Sequence, residues 1–324
     1  MQVDVLLVSL GFTAGLRAVD EELEGSLRRA GASVAVARAR PVGEVRTLAL
    51  TDLVQARAAR DAARAKLAEV RPRSVLYSTT TAALLWPRPG AIHFDAPAAG
   101  NRPGRHGVWQ RPVERRRFRE APLLVAQSTG ALEESPSPRA DALVVPVPVE
   151  PSGAAGRRDL AAVTYAADPA KKGLNHVLAA WRAARRPGER LVVAGAPASL
   201  PAEEGVEPAG LLSPGEFRAL LRRAHVYVTA PRREDYGLAQ LEALADGCRL
   251  VTTEAPGPYA ALPVARELDR RLVGDDLAGA IRTALDDPPA GYAQRAAVLL
   301  APYRRTAVDA VVAEQLLPRL LSSS

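Results

Sequence analysis

The 324-residue chain has a single cysteine, Cys248, which excludes an internal disulfide and any paired-cysteine metal site. Its four histidines, His93, His106, His176 and His225, show no metal-ligand spacing, and no metal is expected. No stretch approaches the roughly 18 to 20 apolar residues that span a bilayer, and the N-terminus has a strand-like run where a signal peptide would have a charged prelude. A cytoplasmic protein is expected. Lysine is scarce too: of 43 basic side chains, only Lys66, Lys171 and Lys172 are lysines.

A chain of this length is long for one core and comfortable for two domains of about 150 residues. The segment Val144-Val-Pro-Val-Pro-Val-Glu-Pro-Ser-Gly-Ala-Ala-Gly156 is rich in proline and glycine and reads as the hinge. The division expected is 1–150, 151–300 and a terminal segment, 301–324. In the first part, the apolar run Val3-Asp-Val-Leu-Leu-Val-Ser-Leu10 leads through Gly11 and Gly15 into an amphipathic helix containing Leu16, Val19, Leu23 and Leu27. Gly31 ends that helix and Ser33–Ala37 follows as a strand, which makes one βαβ unit. The loop does not spell G-x-G-x-x-G, so the dinucleotide fingerprint is absent. Further strands are placed at Ser74–Tyr77, Ala91–Phe94 and Leu123–Gln127. His93 and Asp95 then fall at a strand's carboxyl edge.

The second part carries the most information. The run His225-Val-Tyr-Val-Thr-Ala230 is short and apolar, as a strand covered on both faces must be, and Pro231 stops it. Gly237 permits a close backbone approach, and Leu238 to Ala245 are good helix formers. A helix therefore opens near Gly237 and Leu238, with unpaired N–H groups and a partial positive charge, a place for a phosphate. Glu234 lies in the loop before it. Glu242 lies about a turn and a half inside it, positioned to accept from hydroxyls. Lys171 and Lys172, in Ala170-Lys-Lys-Gly173, occupy a second strand–loop–helix passage, which suits an ammonium reaching a diphosphate.

Val206 to Gly257 resembles the donor-binding half of retaining GT-B glycosyltransferases of family four. The match runs in order through Gly210, the helix from Ser213, the strand to Pro231, Glu234-Asp-Tyr-Gly237, Glu242-Ala-Leu-Ala-Asp-Gly247 and Arg249-Leu-Val251. The resemblance implies an α/β fold of two Rossmann-like domains facing across a cleft, the first binding the acceptor and the second a nucleotide-diphosphate sugar. It implies a transfer that retains anomeric configuration without a metal or other cofactor. Lys172 takes the position of a lysine that contacts the donor's phosphates, Gly237 and Leu238 that of the diphosphate-binding helix end, Glu242 that of the ribose contact and Glu234 that of the sugar contact. His93 and Asp95 lie where similar enzymes touch the transferred sugar, and Gly11 and Gly15 where the first loop nears the phosphates and acceptor. The terminal segment, Tyr303 to Leu321, would return to the first domain. One departure stands out: the family's arginine five residues before the lysine is Ala167 here, leaving Lys171, Arg232 or Arg233 as substitutes.

Arg102, Arg105, Arg111, Arg115, Arg116, Arg117 and Arg119 cluster with Trp109 and Phe118. Two readings compete: a solvated helix face, or a surface that docks on anionic lipid, with a lipid-linked or anionic acceptor at the inner face of the membrane. Nucleic-acid motifs are lacking and nucleic acid is not an expected partner, although a pI near 10.0 keeps an arginine-rich nucleic-acid binder as a competing class. A non-catalytic paralogue that binds sugar nucleotides is the other alternative.

Overall fold

The computed structural model describes residues 1–43, 45–136, 141–154, 156–196 and 203–322, and it divides into two compact units. The first runs from Met1 to Pro148 and includes the C-terminal segment from Arg305; the second is Val149–Arg304. The chain therefore passes between units at residues 148/149 and again at 304/305.

Among the described residues the first unit is built on six strands, β1 (Gln2–Ser9), β2 (Val34–Arg38), β3 (Arg71–Tyr77), β4 (Ala91–Phe94), β5 (Leu124–Ala126) and β6 (Ala142–Val144). They form one parallel sheet in the order β2-β1-β3-β4-β5-β6. Alternation along β1 shows why the run is apolar throughout: Val5 and Leu7 enter one core cluster, Leu6 and Val8 the other. Helix α1 (Ala14–Arg29) supplies Leu23 and Leu27 to one face. Helix α2 (Leu48–Glu69) covers the other with alanines such as Ala59 and Ala63, whose small size lets the helix lie close to the sheet. Thr13 and Thr47 cap these helices by accepting from the N–H groups of Leu16 and Leu50. The remaining helices are α3 (Thr80–Ala83), α4 (Ala98–Asn101), α5 (Gln110–Glu120) and α6 (Thr129–Glu133).

The second unit holds β7 (Leu160–Tyr165), β8 (Leu191–Ala194), β9 (Val206–Gly210), β10 (Ala224–Thr229) and β11 (Arg249–Thr252), again parallel, in the order β11-β10-β7-β8-β9. Its helices are α7 (Leu174–Ala184), α8 (Pro214–Arg223), α9 (Leu238–Ala245), α10 (Ala261–Leu268), α11 (Leu277–Asp286) and α12 (Tyr292–Leu299). Helix α8 starts with the capping box Ser213/Glu216 and a proline in its first turn.

The C-terminal segment is not one regular helix. α13 (Arg305–Val311) passes through a π-helical turn, Val312–Leu316, into α14 (Leu317–Ser322). Val308, Val312, Leu316 and Leu320 recur every four residues and pack with Leu23, Leu27 and Val34 in the first unit's core. The segment expected as a hinge is partly structural: Val145 is buried in that core and its N–H donates to the Ala126 carbonyl at 2.8 Å. Ala155, within that segment, lies outside the described residues.

Candidate functional site

The second unit's strand order fixes where its site can be. From β7 the chain moves to β8 and β9 on one side, and the next strand, β10, pairs on the other side of β7. At that reversal the loops leaving β7 and β10 diverge from one crevice at the sheet's carboxyl edge, where open α/β sheets bind their ligands. These two loops carry Lys171 and Lys172, and Glu234 and Asp235, respectively.

The loops are locked together. The Arg232 N–H donates to the Lys171 carbonyl at 3.0 Å. Gly173, at φ +64°, lies so close to Ala230 that a Cβ there would stand 1.8 Å from the Ala230 carbonyl oxygen. No residue but glycine fits. The side chains then pair across the crevice: Lys172 Nζ is 2.6 Å from Glu234 Oε2, and Lys171 Nζ is 3.2 Å from Asp235 Oδ2. Glu234 is buried, and its Oε2 also accepts from Gln240 Nε2 at 3.0 Å. Arg233 holds the other oxygen of Asp235 at 3.0 Å. Of the three cations named as substitutes at Ala167, Lys171 and Arg233 are thus engaged with Asp235, and Arg232 is exposed.

Helix α9 opens on this crevice. Gly237 is its N-cap, at φ +88°, and Tyr259 lies where a Cβ would be, 2.7 Å away. Among the described residues no side chain caps its first turn, so N–H groups beginning at Leu238 remain available for an anion. Glu242 lies further along α9 and is not in the Lys172 pair. Arg218 of α8 reaches it at 3.4 Å and holds the neighbouring Asp246 at 2.6 Å. Burial, with Asp246 adding repulsion, raises the Glu242 carboxyl above its ordinary range against the opposing pull of Arg218.

In the first unit the candidates are dispersed. Gly11 follows β1 at φ +53° and its carbonyl accepts from Arg17 at 3.0 Å. Gly15 lies inside the first turn of α1, with open space where a Cβ would be, so nothing in the backbone demands glycine there. His93 is buried within β4, its Nδ1 3.4 Å from the Ser78 carbonyl, and burial lowers it to about 4, so the ring is neutral near pH 7. Asp95, just beyond β4, accepts from the Ala96 N–H at 2.8 Å. Sequence reasoning missed Asp20, a buried carboxyl on α1 that accepts from Ser9 and from Ser78 and is pushed up to about 6 by burial. It also missed Gln240, Arg218 and Asp246.

The arginine cluster, read as either a solvated helix face or a docking surface, is divided among several environments. Arg102 grips buried Asp52 with two bonds, at 2.8 and 3.1 Å, Arg116 and Arg117 pair with Glu120, and Arg117 stacks over Trp86. Phe118 is fully buried against Phe94 and cannot meet a bilayer.

Residues 158–287 match the family described as "Glycosyl transferases group 1". No curated protein sequence is significantly similar to the chain. Among solved structures, sucrose-phosphate synthase from Thermosynechococcus elongatus superposes with a TM-score of 0.70 at 16% identity, covering 100% of both chains. WaaG, a glycosyltransferase involved in lipopolysaccharide biosynthesis, gives 0.66 at 12% identity over 99% of both. Anabaena HepE, in complex with UDP-glucose, gives 0.65 at 14% identity over 99% of this chain and 100% of that one. The chain has the α/β fold with two parallel sheets seen in GT-B glycosyltransferase structures.

Proposed function

We propose that this protein is a retaining, metal-independent glycosyltransferase that moves a sugar from a nucleotide-diphosphate sugar to a hydroxyl acceptor. The observation that carries the reading is the Lys172–Glu234 pair, which bridges the switch point of the second sheet beside the uncapped N-terminus of α9. The chemical logic is that of a leaving-group site. As the acceptor oxygen bonds to the anomeric carbon, the bond to the distal phosphate oxygen breaks, and negative charge collects on the departing diphosphate. Lys172 and the N–H groups from Leu238 onward would meet that charge, while the leaving oxygen takes the acceptor's proton. Glu234, released from Lys172 by the phosphates, would accept from the sugar's hydroxyls, and Glu242 from the ribose. The match over residues 158–287 and the HepE complex with UDP-glucose support a nucleotide-sugar donor. The first unit would take the acceptor, with Gly11 and Gly15 near the phosphates and acceptor and His93 and Asp95 as candidate contacts of the transferred sugar.

Ala167 favours a second reading, a protein that binds the sugar nucleotide without turning it over. Slow hydrolysis of the donor without acceptor separates the two, because a pure binder shows none. The glutamate roles are tested separately. Glu242→Gln is expected to weaken free nucleoside diphosphate by roughly 1 to 3 kcal/mol, the scale of lost charged hydrogen bonds. Glu234→Gln is expected to spare free nucleotide and slow transfer. Equal losses of nucleotide affinity in both variants would contradict the assignment.

A further inference from the structure

Seven large hydrophobic side chains among the described residues are exposed, and four of them, Val45, Leu48, Leu50 and Val108, belong to one neighbourhood. Leu48 and Leu50 sit in the first turn of α2, and Val45 is tied to that turn by its N–H donating to Thr51 Oγ1 at 3.2 Å. Val108 joins them because Trp109, the next residue, donates its indole N–H to the Ala49 carbonyl at 2.9 Å, while Arg102 bridges to Asp52 of α2. Val108 is the most open of the four, at 66% exposure. The same two segments, 41–50 and 101–113, carry Arg46, Arg105 and Arg111, and their one acid, Glu44, lies outside the described residues. Arg111 is held against the Gly104 and Gly107 carbonyls, neutral partners that leave its charge uncompensated. Asp52 and Glu114, the acids flanking these segments, are buried.

Aliphatic side chains set among arginines, with a half-buried tryptophan between them, have the chemistry of a surface that rests in the headgroup layer of a membrane. We propose that this patch docks the first unit on an anionic lipid bilayer. Among the described residues no helix is long and apolar enough to cross a membrane, so the contact is an adsorption in which the aliphatics enter the interface and the arginines face the headgroups. A nucleic acid would use the arginines and leave the aliphatics idle, and a second copy of this chain would meet like charge. The proposal does not depend on the donor site, which belongs to the other unit.

The test is co-sedimentation of the whole protein with phosphatidylcholine vesicles, with and without phosphatidylglycerol. Binding is expected only with phosphatidylglycerol. Arg46→Gln with Arg105→Gln should weaken it roughly thirtyfold, since each arginine contributes about a factor of five. Leu48→Ser with Leu50→Ser and Val108→Ser should weaken it by on the order of tenfold or more. An unchanged melting temperature shows that the variants remain folded. Wild-type protein that ignores phosphatidylglycerol vesicles at low salt overturns the proposal. So does binding that the serine variant leaves untouched, which would mark a polyanion site. A concentration-dependent dimer lost in the serine variant, with no vesicle binding, assigns the patch to a second copy instead.

Discussion

Replacing Lys172 by methionine removes the cation from the candidate site and leaves Glu234 behind. The pair is 2.6 Å apart, and the side chains of Lys172 and Glu234 are 20% and 7% exposed, so both charges have lost most of their water. Breaking a fully buried pair costs about 3 to 5 kcal/mol, mainly because the remaining charge is stranded. Gln240 Nε2 still bonds Glu234 at 3.0 Å and Lys172 keeps some solvent, which brings the expected loss to about 2 kcal/mol. Glu234→Gln should cost less, and the double variant should be less destabilised than the sum by about 1 to 2 kcal/mol. Urea unfolding measures this, with Trp181 as probe: it is buried in the second unit, and a Trp86→Phe, Trp109→Phe background silences the first. Single losses that add within about 0.5 kcal/mol would show that the pair is not energetically coupled, and the argument from it would fail.

Gly173→Ala should unfold the second unit or weaken it by several kcal/mol, because a positive φ combines with a collision against the Ala230 carbonyl; a melting curve like wild type would refute the packing described. Glu114 is pushed up to about 7 by burial, from an ordinary 4.5, so between those values the folded chain holds a proton that the unfolded chain has lost. Stability from this group is complete below about pH 4.5 and falls as pH rises toward 7. Glu114→Gln retains an acceptor for the Ala98 N–H, which Glu114 holds at 2.8 Å. It should match wild type near pH 4 and exceed it above about pH 8 by up to roughly 3 kcal/mol. Equal melting shifts at both pH values would contradict the burial effect.

Parts of the local structure of both units were legible because punctuation and propensity agree there. Helix Leu238–Ala245 and strand Ala91–Phe94 lie where the sequence places them, the first bounded by glycine and good helix formers, the second by turn signals. Boundaries moved where a neighbour decides them: β3 begins at Arg71 rather than Ser74 because Gln2 and Val3 of β1 pair with Arg71 and Pro72. The supporting polar residues were not legible. Asp20, Glu114 and Asp246 look solvent-facing on any helix until the packing of other elements covers them. Arg218 meets Glu242 and Asp246 only because α8 lies beside α9. One signal was available and unused: Gln110, Glu114 and Phe118, four apart, are the buried face of α5, and that spacing takes Phe118 out of the surface cluster.

Calorimetric titration with a panel of nucleoside diphosphates and their sugar conjugates tests the central claim, that the carboxyl edge of the second sheet is a donor site built on Lys172 and α9. One base is expected to bind the wild-type protein with a single site. Lys172→Ala should weaken that binding, and turnover with acceptor should drop by on the order of a hundredfold, the loss expected when one preorganised charge leaves a departing group. A wild-type protein that binds no nucleotide diphosphate or sugar nucleotide at millimolar concentration, or a Lys172→Ala variant that binds and turns over as wild type does, would contradict the account.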